Sequence, residues 1–111
     1  MEKIIERNML FDFYGDLLTD RQRSIYQDAV YEDLSLSELA ESYGISRQGV
    51  HDQIKRCNKT LEEYEQKLHL VERFQNIKEY SEALLSEVKS SENEKLYFVT
   101  KDYIDKIKEQ L

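Results

Sequence analysis

No proline interrupts the 111 residues, and glycine occurs only three times, at Gly15, Gly44 and Gly49. Proline removes a backbone donor and clashes with the preceding helical turn, while glycine leaves the backbone too free, so these two residue types most often end helices. A chain that lacks one, holds little of the other and is rich in Glu, Lys, Leu and Gln has few places to stop a helix. An all-α fold is expected.

The apolar residues carry the same message. Ile4, Ile5, Met9, Leu10, Phe13, Leu17 and Leu18 form a stripe suited to a first amphipathic helix, weakened at Gly15. Thr19 with Gln22, Ser35 with Glu38 and Ser91 with Glu94 each have capping-box form, in which a short hydroxyl side chain and a longer side chain three residues on satisfy backbone donors reciprocally. The second helix should turn Ile25, Ala29 and Val30 inward with Tyr26 beside them, and the aromatics Phe11, Phe13, Tyr14, Tyr26 and Tyr31 read as core packing. From Val50 onward the apolar positions 50, 54, 57, 61, 64, 68 and 71 alternate steps of four and three, which is a heptad seam. The seam shifts to a face with Leu70, Phe74, Ile77, Leu84 and Val88, so a break is expected between His69 and Arg73. A last helix aligns Leu96, Val99, Tyr103, Ile107 and Leu111.

The most informative spacing lies in the middle. Ala40 is followed by Gly44, Val50 and Ile54, in the segment SELAESYGISRQGVHDQIKR. A small residue lets two helices approach, glycine makes the turn, and Leu39, Ile45, Val50 and Ile54 fill the wedge between them. This is the pattern of a helix-turn-helix. With Val50 and Ile54 inward, Arg47, Gln48, His51, Asp52, Lys55, Arg56 and Lys59 fall on the outward side of the second helix.

Charge raises a question of sign. The chain carries 23 acidic residues against 16 basic ones, a formal net charge of -7. Residues 1 to 41 hold ten acids and four bases, and residues 61 to 111 hold twelve acids and eight bases. Residues 42 to 60 hold Arg47, Lys55, Arg56 and Lys59 against Asp52 alone. The positive island coincides with the reading helix, where arginine, glutamine and histidine suit base edges and lysine suits phosphates. Four cations imply a modest salt dependence, since each neutralised phosphate changes log K by roughly 0.9 per decade of salt.

Residues 18 to 56, LTDRQRSIYQDAVYEDLSLSELAESYGISRQGVHDQIKR, resemble region 4 of bacterial sigma factors, with Leu-Thr, Glu-Leu-Ala and Gly-Ile-Ser in the same order. Nothing in 111 residues resembles the polymerase-binding or minus-ten-reading parts of such a factor. Gly49 within the reading helix also departs from a simple helical pattern and implies either a close neighbouring backbone or a pliable helix start. More closely, the chain is similar to the YlxM family of small bacterial proteins, through Met9 to Gly15, Leu18 to Gln22 and Ser46 to Arg56. That resemblance covers most of residues 4 to 70. It implies a sigma region-4-like helix-turn-helix bundle with a long helical extension. It also implies an accessory or regulatory role in the signal recognition particle pathway, because genes of the family usually lie beside those for the particle's GTPase and its receptor.

Other chemistry is poorly supplied. His51, Cys57 and His69 do not share a helix face, and the chain has no Gly-rich phosphate loop, nucleophile motif or HExxH. No enzymatic activity, cofactor or metal is expected. Cys57 has no partner for an internal disulfide, which suits a reducing cytoplasm. MEKIIERNML lacks the apolar core of a signal peptide, and no apolar run is long enough to span a bilayer, so neither export nor membrane insertion is expected.

These readings divide the chain into a helix-turn-helix domain over 1–60 and a helical extension over 61–111, which is expected to make a homodimer through Leu61 to Val71 or through the last helix. The expected partners are DNA or signal recognition particle RNA, with the particle's GTPase or its receptor as protein partners. A DNA-binding transcriptional regulator and a protein-docking module that binds no nucleic acid stay open as alternatives.

Overall fold

The structure is a computed structural model that describes residues 3–111, with side chains described from Arg7 onward. Ile4 and Ile5 of the first stripe lie outside the described side chains. The described residues form six α-helices, one short 3-10 turn and no strand. The chain groups into two compact units, Met1–His69 and Leu70–Leu111.

In the first unit, α1 (Lys3–Tyr14) tightens at Gly15 into a 3-10 turn over Gly15–Leu17, closed by the Leu18 amide donating to the Gly15 carbonyl at 3.1 Å. α2 (Asp20–Val30) starts at the Thr19 capping box, in which Thr19 accepts from the Gln22 amide and the Gln22 side chain accepts from the Thr19 amide. α3 (Leu36–Tyr43) starts the same way at Ser35 and Glu38. α4 (Arg47–Leu68) is the long element on which α1, α2 and α3 all pack.

The core follows from these stripes. Leu10, Tyr14, Leu18, Ile25, Tyr26, Leu39, Val50, Cys57 and Leu61 are buried. Val30 is instead 37% exposed. At 100° per residue it stands about 40° beyond Tyr26 and about 140° from Ile25, at the margin of the buried face. Tyr26 stacks on Phe11 with ring centroids 5.1 Å apart, and Tyr14 stacks on Tyr64 at 5.9 Å. Tyr31 lies at the rim, tilted against Phe11 and exposed.

The seam of α4 is only partly consumed. Val50, Cys57 and Leu61 are fully buried, Ile54 and Tyr64 are half-buried, and Leu68 is exposed. α4 ends where its phase slips, at His69, which adopts the left-handed conformation (φ 56, ψ 29) and donates its amide to the Glu65 carbonyl at 2.9 Å.

In the second unit α5 (Leu70–Ser90) and α6 (Glu94–Glu109) pack as a helical hairpin. The more buried face of α5 carries Val71, Phe74, Ile77, Leu85 and Val88, whereas Leu70 and Leu84 are exposed. The sequence stripe named Leu70 and Leu84, and the true face is rotated by part of a turn so that their neighbours Val71 and Leu85 point inward. The turn also departs from the capping-box expectation. Asn93 caps α6 by accepting the Leu96 amide at 3.0 Å, while Ser90 and Ser91 donate their hydroxyls to the Ser86 and Val88 carbonyls at the end of α5. Ser91 is thus occupied in closing the preceding helix.

Candidate nucleic-acid interface

The helix-turn-helix is made by α3, Gly44, Ile45, Ser46 and α4. Gly44 takes a left-handed conformation (φ 67, ψ 34), and the amides of Gly44 and Ile45 both donate to the Ala40 carbonyl, which ends α3 within one residue. Ser46 then caps α4, its hydroxyl accepting the Gly49 amide at 2.9 Å. Leu39 and Val50, both fully buried, fill the angle between the two helices. A bracing network holds α2 against α3. The Tyr43 hydroxyl donates to Asp28 at 2.6 Å and lies 2.6 Å from the Ser24 hydroxyl, and the Arg21 guanidinium sits 5.7 Å over the Tyr43 ring. Burial, then the bond to Asp28, pushes the Tyr43 phenol above its ordinary pKa, so it stays a donor.

Gly49 also has a structural reason. A Cβ there would meet the Ser46 hydroxyl at 3.2 Å and the Ile45 side chain at 3.7 Å. The close neighbour is therefore the helix's own capping side chain and not a packed backbone.

Every residue that the sequence assigns to the interface is exposed: Arg47, Gln48, His51, Asp52, Lys55, Arg56 and Lys59. At 100° per residue they cover roughly half the circumference of α4. Asp52 is held within this face, accepting from Gln48 Nε2 at 3.0 Å with His51 Nδ1 at 3.9 Å. Among the described residues, Arg47, Lys55, Arg56 and Lys59 form no ion pair. Two other cations are paired: Arg23 lies 3.0 Å from Asp16 and 3.5 Å from Asp20, and Lys106 lies 2.9 Å from Asp102.

Two features of this surface are not visible in the sequence. An open cleft of about 810 Å³ is lined by Ser35, Leu36, Ser37, Ser46, Arg47, Gln48 and His51. It brings together the N-termini of α3 and α4, where unsatisfied amides and the positive helix ends favour an anion. A second cleft of about 470 Å³ joins Arg7 of α1 to His51, Ile54, Lys55 and Asn58. Arg7 belongs by sequence to the acidic first segment, yet the fold adds it to the positive face. The capping box at Ser35 was the available signal for the first cleft; none pointed to Arg7.

Cys57 plays no part in this surface. Its side chain is fully buried, its thiol is pushed above its ordinary pKa by burial, and it points toward the Gln22 carbonyl at 3.7 Å. Among the described residues no group of His, Cys, Asp and Glu is placed to hold a metal ion. No helix among them is long and apolar enough to cross a membrane.

Comparison with known proteins agrees with this geometry. Residues 1–108 match the UPF0122 family, described as "Putative helix-turn-helix protein, YlxM / p13 like". The chain belongs to the UPF0122 family. A UPF0122 protein of Shouchella clausii is 45% identical over 91 residues, covering 82% of this chain and 80% of the relative. UPF0122 proteins of Bacillus cereus and Bacillus anthracis are each 52% identical over 75 residues, or 68% of either chain. The UPF0122 match reaches through α5 and most of α6, so the C-terminal hairpin belongs to the family pattern together with the helix-turn-helix.

Proposed function

We propose that this protein is a non-enzymatic nucleic-acid-binding protein whose binding surface is the outward face of α4, with Arg7 and the converging N-termini of α3 and α4. The observation that carries this reading is the set of four cations on α4, exposed and without ion pairs, in a chain that is acidic overall. In this reading Arg47, Gln48 and His51, at the start of the helix, meet base edges in a groove, while Lys55, Arg56 and Lys59 meet phosphates. Asp52 fixes Gln48. The negative charge elsewhere keeps binding local and of modest strength.

Within that class we assign the protein to the signal recognition particle pathway, in the cytoplasm, as an accessory or regulatory component that grips the particle's RNA next to its GTPase. Support for the pathway comes from the YlxM-like character of the chain and the gene neighbourhood of that family. The acting form is a homodimer, which presents two positive faces and doubles the phosphate contacts.

The test is binding of the purified protein to duplex DNA, to the particle RNA and to the GTPase, side by side across a salt series. RNA binding with a log–log salt slope of roughly 3 to 4 per face is expected, from about 0.9 for each of Lys55, Arg56, Lys59 and Arg7 on phosphate, and the Lys55→Ala/Arg56→Ala variant should lower it by about 2. Preference for duplex DNA would instead make the protein a transcriptional regulator. Retention of the GTPase alone at about 0.1 M salt, with no nucleic acid bound, would make the motif a protein-docking module and overturn the proposal.

A further inference from the structure

Asp52 is the one acid within residues 42 to 60, and it occupies the crown of the positive face. At 100° per residue it stands about 140° to 180° round α4 from the buried Val50, Cys57 and Leu61, with Lys59 about 20° and Gln48 and Arg56 about 40° away. An open cleft of about 250 Å³ is lined by Asp52, Lys55, Arg56 and Lys59, yet none of these three cations is ion-paired with the carboxylate. The contacts of Asp52 run the other way along α4. Its Oδ1 accepts from Gln48 Nε2 at 3.0 Å and lies 3.9 Å from His51 Nδ1. The Gln48 amide can meet a carboxylate only through its nitrogen, so its oxygen is turned away from Asp52. Among the described residues, Asp52 Oδ2 and Gln48 Oε1 accept no hydrogen bond. Two acceptors therefore stand open at the centre of a ring of cations. Stability does not account for an acid here: an exposed pair four residues apart adds little, and Asp52 lies beyond the first turn of α4, where the helix dipole favours acids. Toward phosphate it is a liability, because it repels what its neighbours attract.

We infer that Asp52 is the specificity-determining residue of this surface and that it accepts the exocyclic amino group of a cytosine, with the Gln48 carbonyl beside it. The inference rests on the nucleic-acid-binding reading above and names the base read at its centre. The major-groove edge of cytosine presents the N4 amino donor and no acceptor. Guanine presents O6 and N7 there, and uracil or thymine presents O4, all acceptors that a carboxylate repels. Adenine offers its N6 amino group but sets the N7 acceptor next to it, which suits an amide better than a carboxylate. Lys55, Arg56 and Lys59 hold phosphates around this point, so the base edge between them falls on Asp52. In RNA the A-form major groove is too deep and narrow for side chains to read, which places the cytosine in a loop or bulge.

The test uses full-length protein and selection from two libraries, RNA hairpins with a randomised loop and duplex DNA with a randomised stretch. The wild type should enrich RNA loops that share a cytosine. Replacing that cytosine by uracil, or by 2-pyrimidinone, which lacks only the amino group, should weaken wild-type binding by roughly 10-fold or more. The same replacements should cost the Asp52→Ala protein less than about twofold, and this variant should bind unselected RNA more tightly than the wild type does. Asp52→Asn, which keeps an acceptor and gains a donor, should move the preference toward adenine. Removal of the amino group from the RNA tests the wild-type protein directly, whatever the variants do to folding. Enrichment of duplex DNA alone, with the same dependence on the cytosine amino group and on Asp52, supports the role of Asp52 and moves the target from RNA to DNA. A wild type that binds but selects no cytosine, or a loss on amino-group removal that persists in Asp52→Ala, overturns the inference and leaves the nucleic-acid-binding reading standing. A protein that enriches neither library overturns both.

Discussion

The Tyr26 hydroxyl of α2 donates to Asn58 Oδ1 of α4 at 2.9 Å, under a ring that is 1% exposed and stacked on Phe11. This bond fixes the rotation of α4 where its positive face begins to turn toward solvent, because Asn58 lies between Cys57, which is buried, and Lys59, which is exposed. Tyr26→Phe keeps the stack and leaves the Asn58 oxygen without its donor. A loss of about 1–2 kcal/mol is expected, read as a shift in urea midpoint at constant slope.

The same phenol makes stability depend on alkaline pH. Burial raises its pKa from the ordinary 10.0 to about 12, outweighing the lowering effect of Arg7. Unfolded, the group ionises near 10; folded, it keeps its proton until about 12. Its contribution is therefore complete below pH 10 and is lost as pH rises from about 10 to 12. Thermal melts across that window should fall more steeply for the wild type than for Tyr26→Phe.

The two turn-region glycines should respond differently to alanine. At Gly44 nothing crowds a new Cβ, but the left-handed backbone (φ 67) does not suit it, so Gly44→Ala should destabilise by about 1–2 kcal/mol. At Gly49 the backbone is helical and alanine gains roughly 1 kcal/mol of propensity, opposed by the 3.2 Å approach to the Ser46 capping hydroxyl. Gly49→Ala should fall well short of that full gain, and combining it with Ser46→Ala should be non-additive in a double-mutant cycle.

Cys57 should be inert in the folded protein. Its side chain is fully buried and its thiol pKa is raised by that burial, so neither access nor thiolate is present at neutral pH. Labelling by a thiol reagent should proceed only at the rate of unfolding or opening and should become immediate in denaturant.

Arg7 should act as a fifth contact of the proposed surface, since it shares a cleft with His51 and Lys55. Arg7→Ala is expected to lower the salt slope of nucleic-acid binding by about one. Arg23→Ala, whose guanidinium is already paired with Asp16 and Asp20, should leave the slope unchanged.

Much of the local structure was legible because it depends on nearest neighbours along the chain. The capping boxes at Thr19 and Ser35, the glycine turn at residue 44, the Ser46 cap and the break at His69 all follow from residue types a few positions apart. The all-α class follows from the lack of proline and scarcity of glycine. Where two local solutions competed, pattern alone misled: Ser91 closes α5 and Asn93 caps α6, because one hydroxyl cannot serve both ends of a tight turn. Stripes also predict a face only to within part of a turn. Val30, Leu70 and Leu84 sit at the margins of their stripes, and what packs opposite decides which margin is covered.

By itself the sequence determined the helices, most of their limits apart from the start of α6, and the chemistry on the outward side of α4, since these are set by periodicity and local hydrogen bonding. Only the tertiary structure decided that α1 carries Arg7 to that positive face. It alone placed the N-termini of α3 and α4 together, spent Leu61 in the core and left the α6 stripe uncovered. Each of these is a matter of which surfaces meet across long stretches of chain, and contacts of that kind are written in three-dimensional packing and not in the spacing of residues along the backbone.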